Sequence, residues 1–461
     1  MKTKRNLFRY IFLLFLTTFP SHHISGSTNQ KEIWQKILIK DSIIGYSVVR
    51  KKGELVEERI NMKLKAMGVQ REVKTYLNWI SKEDYSFREL HFEMESEGNK
   101  ISISAKVAPG KLKISSGKNS DEIPIPQGNV WTGSSFIFII ENLISKGEKI
   151  INISIPYFDP SVLRKDEMTI NFEREWGNLL VFRKTFAGIS SFIYFDKTGK
   201  FIKEEGPMGI VSYTSEKDEV LKALEKSKKD IDIIFSTSVA VEGNLFPESS
   251  MRNRIKRVLL LVSGVKEIPS FPPRQISKET KEGFLVEILK DAKLKDDGNE
   301  ISKYLSSELL IESDSPEIKK IAMQIKSSAD GKNPKDLMKA VSDWVYKNLE
   351  KTSVLSMPSA LQVLKDKKGD CNEHSVLTVA ILRALNIPSR VVFGLIYDSR
   401  KFYYHAWVEA FDGKEWIEFD PTWGLFPADI LRVRIGTGNV SEWVKVLEYV
   451  GKVRIKFIKW E

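Results

Sequence analysis

From Ile43 to Tyr213 the apolar residues fall mostly on every second position, a period that only extended chain converts into one buried face. Ile60, Met62, Leu64 and Ala66 alternate with Asn61, Lys63 and Lys65; Ile101, Ile103, Ala105 and Val107 alternate with Ser102, Ser104 and Lys106; Ile151, Ile153 and Ile155 repeat the pattern. A helix would scatter these side chains around its circumference, so the stretch is expected to form half-buried strands of an antiparallel sheet or open barrel. Phe195 to Phe201 is expected to be a hairpin with Gly199 at positive φ. Trp131 to Leu143 alternates less and is read as a strand passing into a short helix. His91, in the strand Phe87 to Met94, is read as structural.

A chain of 461 residues is too long for one ordinary core. With 42% hydrophobic and 29% charged residues it has the composition of a folded protein. The expected organisation is α+β and multidomain: a β-rich domain over 28–214, a small connector with helix and strands over 215–310, a catalytic domain over 311–435, and a helix and strand over 436–461 packing on it. In the connector, Glu216 to Lys229 is expected to be helical, and Ile231 to Val241 and Ile255 to Val262 to be strands. The catalytic domain is expected to open with helices capped at Asp314-Ser315-Pro316 and at Asn333-Pro334. In the second helix Leu337, Val341, Trp344, Val345 and Leu349 form the apolar stripe, which makes Trp344 a core residue.

The first 27 residues have the form of a secretory signal: basic Lys2, Lys4, Arg5 and Arg9, an apolar Tyr10 to Phe19, and small residues at Ser25-Gly26-Ser27. Its apolar run is too short for a membrane span, and no other stretch is long and apolar enough to cross one. A secreted or periplasmic protein is therefore expected. Export makes the cysteine count informative, because oxidising compartments favour paired cysteines and Cys371 is the only one. The formal charge of +11 falls to +7 without the four basic residues of the signal, and it is dispersed along the chain. No basic stripe with interleaved aromatics is present, so no nucleic-acid partner is expected.

Around Cys371 the residue types converge on thiol chemistry. Asp370-Cys371-Asn372-Glu373 has the form of a capping box before an apolar run that ends at Asn386 and Pro388. A cysteine on the first residue of that helix faces the positive end of the dipole, which is expected to lower its pKa toward the thiolate. Arg390 to Tyr397, Lys401 to Phe411 and Lys414 to Asp420 read as three successive strands. If Asp412-Gly413 is a two-residue turn, opposing positions sum to 825, and His405 directly faces Asp420 on one side of the sheet. His374, three residues after the cysteine, is the competing base, but no carboxylate is positioned behind it. The histidines left beyond the signal, His91, His374 and His405, lack metal-ligand spacing, so neither a metal nor a cofactor is expected.

The stretch resembles the transglutaminase-like superfamily of papain-like enzymes through Gly369-Asp370-Cys371, Ile387-Pro388-Ser389-Arg390-Val391-Val392, His405-Ala406-Trp407 and Asp420-Pro421-Thr422. The resemblance covers about residues 310–435. It implies Cys371 as nucleophile, His405 as base and Asp420 as the group that orients it. The family's further oxyanion donor has no motif here, and Trp344 and Gln362 are the candidates. An exported cysteine-dependent acyl-transfer enzyme acting on protein or peptide amides is therefore expected, with hydrolysis or transamidation as the outcome. The alternative is a non-catalytic binding or scaffolding protein of the cell envelope that keeps the fold.

Overall fold

The computed structural model describes residues 30–39, 42–66, 69–226, 237–290, 292–294, 301–355, 357–438 and 440–461. The expected signal segment and residues 231–236 of an expected connector strand lie outside the described residues. Among the described residues the chain forms two compact units, one built from residues up to 226 together with 355 and 357, the other from 237–354 and 358–461.

In the first unit the alternating pattern becomes a 14-stranded antiparallel sheet running from Gln30–Ile39 to Ile210–Thr214. The first eight strands are neighbours in chain order, as are the last six, and the first strand pairs with the fourteenth from Gln35↔Thr214 to Ile39↔Ile210. Within each of the two runs the connections are short, which is why a period of two suffices to specify them, and the one long link, from Pro124 to Asn152, carries a helix. Ile60, Met62 and Leu64 are buried on one face, as are Ile101, Ile103 and Ala105. Gly199 takes φ +93° in the hairpin, where Asp196 Oδ1 accepts from the amides of Thr198 and Lys200.

Trp131 pairs with Tyr157, and the helix Ser135–Ser145 follows with Phe136, Ile137, Phe138, Ile140 and Ile144 buried. Fully buried Phe158, Phe182, Phe195 and Phe201 share this interior. Each is worth roughly 1.5–3 kcal/mol relative to exposure, so the enclosed helix and the sheet fold as one core.

The second unit holds a nine-stranded sheet. Its order runs Gln275–Thr280, Gly283–Leu289, Arg257–Ser263, Arg454–Trp460, Val239–Glu242, Lys401–Phe411, Ser389–Asp398 and Arg432–Gly438, with Trp416–Phe419 paired to Lys401–Phe411. Strands from the expected connector and from the chain's last residues thus share a sheet with the strand that carries His405. The helices Pro316–Ser328 and Pro334–Asn348 start where the caps place them, with Ser315 and Asn333 side chains accepting from Ile318 and Asp336 amides.

The helix Cys371–Ala384 is buried at every residue from Cys371 to Arg383. It packs against three helices, Pro316–Ser328, Pro334–Asn348 and Ala360–Asp366, and against the strand Lys401–Phe411. That environment accounts for a helix apolar on nearly all sides. Among the described residues no helix is long and apolar enough to cross a membrane.

Candidate active site

The site begins at the first turn of the buried helix. Asp370 is its N-cap, and the capping box forms, with the Asp370 amide donating to Glu373 Oε2 at 2.9 Å. Gly369 is fixed by crowding, since a Cβ there would lie 2.3 Å from Glu373 Cβ. Gly369→Ala must therefore push the Glu373 side chain out of the box. We expect a loss of about 1–3 kcal/mol, measured as a lowered thermal midpoint of the full chain, and no change would refute the packing argument.

Cys371 is the first helical residue, and its Sγ accepts from the backbone amide of Ala406 at 2.9 Å. The helix start is thereby held against the strand at the residue after His405. His405 Nε2 lies 2.8 Å from Asp420 Oδ2, while its Nδ1 is buried without a hydrogen-bond partner. The aspartate thus takes one ring nitrogen and leaves the other available for proton transfer.

The register differs from the expected one. Phe411 pairs with Trp416 and Val408 with Phe419, so opposing positions sum to 827 and the Asp-Gly step belongs to a four-residue loop. The Asp412 side chain makes the difference: its Oδ1 accepts from the amides of Lys414 and Glu415 and extends the turn. A slip of two preserves the alternation, so Asp420 stays on the face of His405 but meets it from a diagonal position. Asp420 also stands past the end of its strand, Trp416–Phe419, where its amide and carbonyl pair with Leu425.

The carboxylate of Asp420 is fully engaged. Oδ1 accepts from the amides of Thr422 and Trp423 at 2.9 and 3.1 Å, and Oδ2 accepts from His405 and from Arg432 Nη1 at 2.8 Å. Burial opposes its charge, but His405 and Arg432 together hold its pKa well below the usual carboxylate range. Arg432 also donates to Asp429 at 3.0 Å, and Asp429 in turn accepts from Arg252 at 2.9 Å. The Trp423 ring lies 5.8 Å from the His405 ring, and Arg252 stands over it at 4.6 Å. Sequence reasoning missed Arg432, Asp429 and Arg252. The alternation of Arg432 and Arg434 with Val433 and Ile435 was the available signal, because it places two guanidinium groups where a buried strand needs partners.

Cys371 is 0% exposed, His405 3% and Asp420 0%. This closure overturns the expectation of a thiol lowered by the helix end. Burial first, and then the Asp370 carboxylate, push the thiol pKa well above its ordinary value, against the opposing Ala406 hydrogen bond. Burial likewise lowers His405 below 6.5 despite the pull of Asp420. Both changes favour the neutral thiol and the neutral imidazole.

The other candidates are engaged elsewhere. His374 Nδ1 lies 2.5 Å from the Asp370 carbonyl, and burial lowers its pKa to about 4. Gln362 donates to Asp366 on its own helix, and Trp344 is half-buried on the helix Pro334–Asn348. His91 lies 3.1 Å from Ser104 Oγ and 3.3 Å from Glu93, far along the chain in the first unit. No cluster of three or more metal-ligating side chains occurs among the described residues.

A buried helix that opens on a cysteine and packs against a strand bearing a histidine defines a papain-like architecture. Residues 320–421 match the family model of the transglutaminase-like superfamily, and this part of the chain is a transglutaminase-like core domain. An uncharacterised protein of Mycobacterium leprae is 30% identical over 115 residues, which cover 22% of this chain and 40% of that one. The match therefore spans well under half of that relative's length. Among solved structures, a candidate cysteine protease of Cytophaga hutchinsonii aligns at 20% identity over 49% of this chain and 83% of its own, with a TM-score of 0.28. A β-barrel-like protein of Brucella abortus, a domain of unknown function, aligns at 9% identity over 44% of this chain and 97% of its own, with a TM-score of 0.31.

Proposed function

We propose that the second unit is a cysteine-dependent acyl-transfer enzyme in which Cys371 is the nucleophile, His405 the base and Asp420 the group that orients it. The observation that carries the reading is the pair of contacts at one strand: Asp420 holding His405 Nε2 at 2.8 Å and Ala406 N–H holding Cys371 Sγ at 2.9 Å. His405 Nδ1 removes the thiol proton as sulfur attacks the carbonyl carbon of an amide. The tetrahedral intermediate collapses with cleavage of the C–N bond, and the imidazolium returns the proton to the departing amine. A thioester remains on Cys371. Water releases the acid in a hydrolase, or a substrate amine forms a new amide in a transglutaminase. Ionised Asp420 stabilises the transient imidazolium, and in this capacity it never needs to accept the proton. Protein or peptide amides are the substrate class, and export rests on the composition of residues 1–27.

The test is turnover of a peptide library by the full chain, with and without a primary amine, followed across pH. His405 must be neutral to act, so activity is lost as pH falls through its depressed pKa, below 6.5, and is present above it. The raised thiol keeps the alkaline limb beyond the ordinary thiol range of about 8.5. A plateau across neutral and mildly alkaline pH is expected. An alkaline loss near pH 8 would point instead to a preformed thiolate and imidazolium pair, and cleavage retained by Cys371→Ala would refute the reading. Amidated products that appear only with added amine identify transamidation.

A further inference from the structure

The first unit holds a partly open pocket of about 120 Å3, about an order of magnitude more than one water requires. Its walls come from strands of both halves of the sheet and from the start of the helix Ser135–Ser145, and they include the apolar side chains of Ile37, Leu77, Phe136, Met168, Phe186 and Ile189. Into this lining the inward rows insert polar groups where the alternation calls for apolar ones. Glu58 stands between buried Val56 and Ile60, Lys184 between Phe182 and Phe186, and Ser191 between Ile189 and Ile193. An enclosed polar group costs free energy unless something satisfies it, so their concentration at one cavity calls for a use.

The titratable groups on the wall are Glu58, Asp159, Glu204, Lys184 and Tyr157. Lys184 is committed to Glu204 at 2.7 Å and lies over the Phe136 ring at 4.1 Å. Tyr157 donates to the Gly133 carbonyl at 3.0 Å. Glu58 accepts from the Ser134 amide at 2.9 Å through Oε2, and Asp159 accepts from the Ser161 amide and hydroxyl through Oδ1. Neither Glu58 nor Asp159 has an ion-pair partner among the described residues; Lys184, paired with Glu204, lowers both only through its field, so one lysine faces three carboxylates. Ser191 adds an independent observation: it is 3% exposed, lines the pocket, and its Oγ has no hydrogen-bond partner among the described residues. These acids do not cluster as a metal site would.

We propose that this cavity binds a small organic monocation, a primary ammonium group on a short apolar body, with Glu58 and Asp159 receiving the charge and the aromatic and aliphatic wall receiving the body. The cation offsets the cost of two half-buried carboxylates, and the apolar body covers the apolar part of the wall. Burial raises Asp159 and brings Glu58 to about 7, so binding near neutrality draws a proton from Glu58.

Isothermal titration of the full chain with n-pentylamine, 1-pentanol and pentanoate tests this. Pentylamine is expected to bind saturably and to release protons near pH 7, detected by comparing buffers of different ionisation enthalpy. Its affinity should rise at least tenfold from pH 5 to pH 8 as Glu58 ionises. Glu58→Gln with Asp159→Asn should weaken it at least tenfold. Equal binding of the alcohol or the acid, unchanged binding by that double variant, or no binding of the amine would each overturn the proposal. Should the double variant fail to fold, the pH dependence in the unaltered chain decides, and pH-independent binding refutes it.

Discussion

His405→Ala, with His374 left in place, is expected to lower kcat/KM for peptide substrates by roughly 10²–10⁴-fold, the range a positioned general base supplies. In the proposed mechanism the thiol of Cys371 is buried and its pKa raised, so without a base to take its proton almost no thiolate forms at neutral pH. His374 is no substitute, because its Nδ1 is engaged with the Asp370 carbonyl and nothing orients its Nε2, which is buried without a partner. Activity should not recover at higher pH until the thiol itself ionises, so the variant's profile should rise steadily through the alkaline range where the parent is flat. Full activity in His405→Ala would refute the assignment of the base. Parallel loss in His374→Ala, with the same change in profile, would move the role to that residue.

What was legible in the sequence divides along a physical line. Period-two alternation and capping signals are local, so the strands, the two capped helices and the box at Asp370 follow from residues a few positions apart. Long-range placement is not local. Nothing in Arg454 to Trp460 announces that this strand pairs with Arg257–Ser263, about two hundred residues away in the chain. The turn at Asp412 shows the limit at short range: Asp-Gly favours a tight hairpin, but the same aspartate also caps two later amides and lengthens it. Parity rescued the placement of Asp420, since a slip of two residues keeps a side chain on its face. The pKa expectation failed because a helix end describes one neighbour of the sulfur, whereas burial depends on everything packed over it.

Arg432→Met is expected to cost about 3–5 kcal/mol, the usual consequence of removing one partner from a buried ion network. Arg432 is 4% exposed and bridges Asp420 and Asp429, so its loss strips a charge from two enclosed carboxylates at once. Asp429 keeps Arg252, but Asp420 retains only His405 and two amides. Native-state hydrogen exchange of the Thr422 and Trp423 amides, which donate to Asp420, reads the effect where it arises. The same pairings fix the acid limb. Both carboxylates have depressed pKa values when folded, so their contribution is fully present above the unfolded value of about 3.9 and is lost as pH falls through the folded ones. Without Arg432 the folded pKa of Asp420 rises, and protection of these amides should begin to fail at a higher pH than in the parent chain. Arg432→Lys separates charge from shape: it keeps a cation but loses the fork that reaches both acids, and should recover only part of the protection. Protection in Arg432→Met equal to the parent's at pH 7 and at pH 4 would show that Asp420 stays ionised without the guanidinium, and that His405 and the Thr422 and Trp423 amides suffice to hold it.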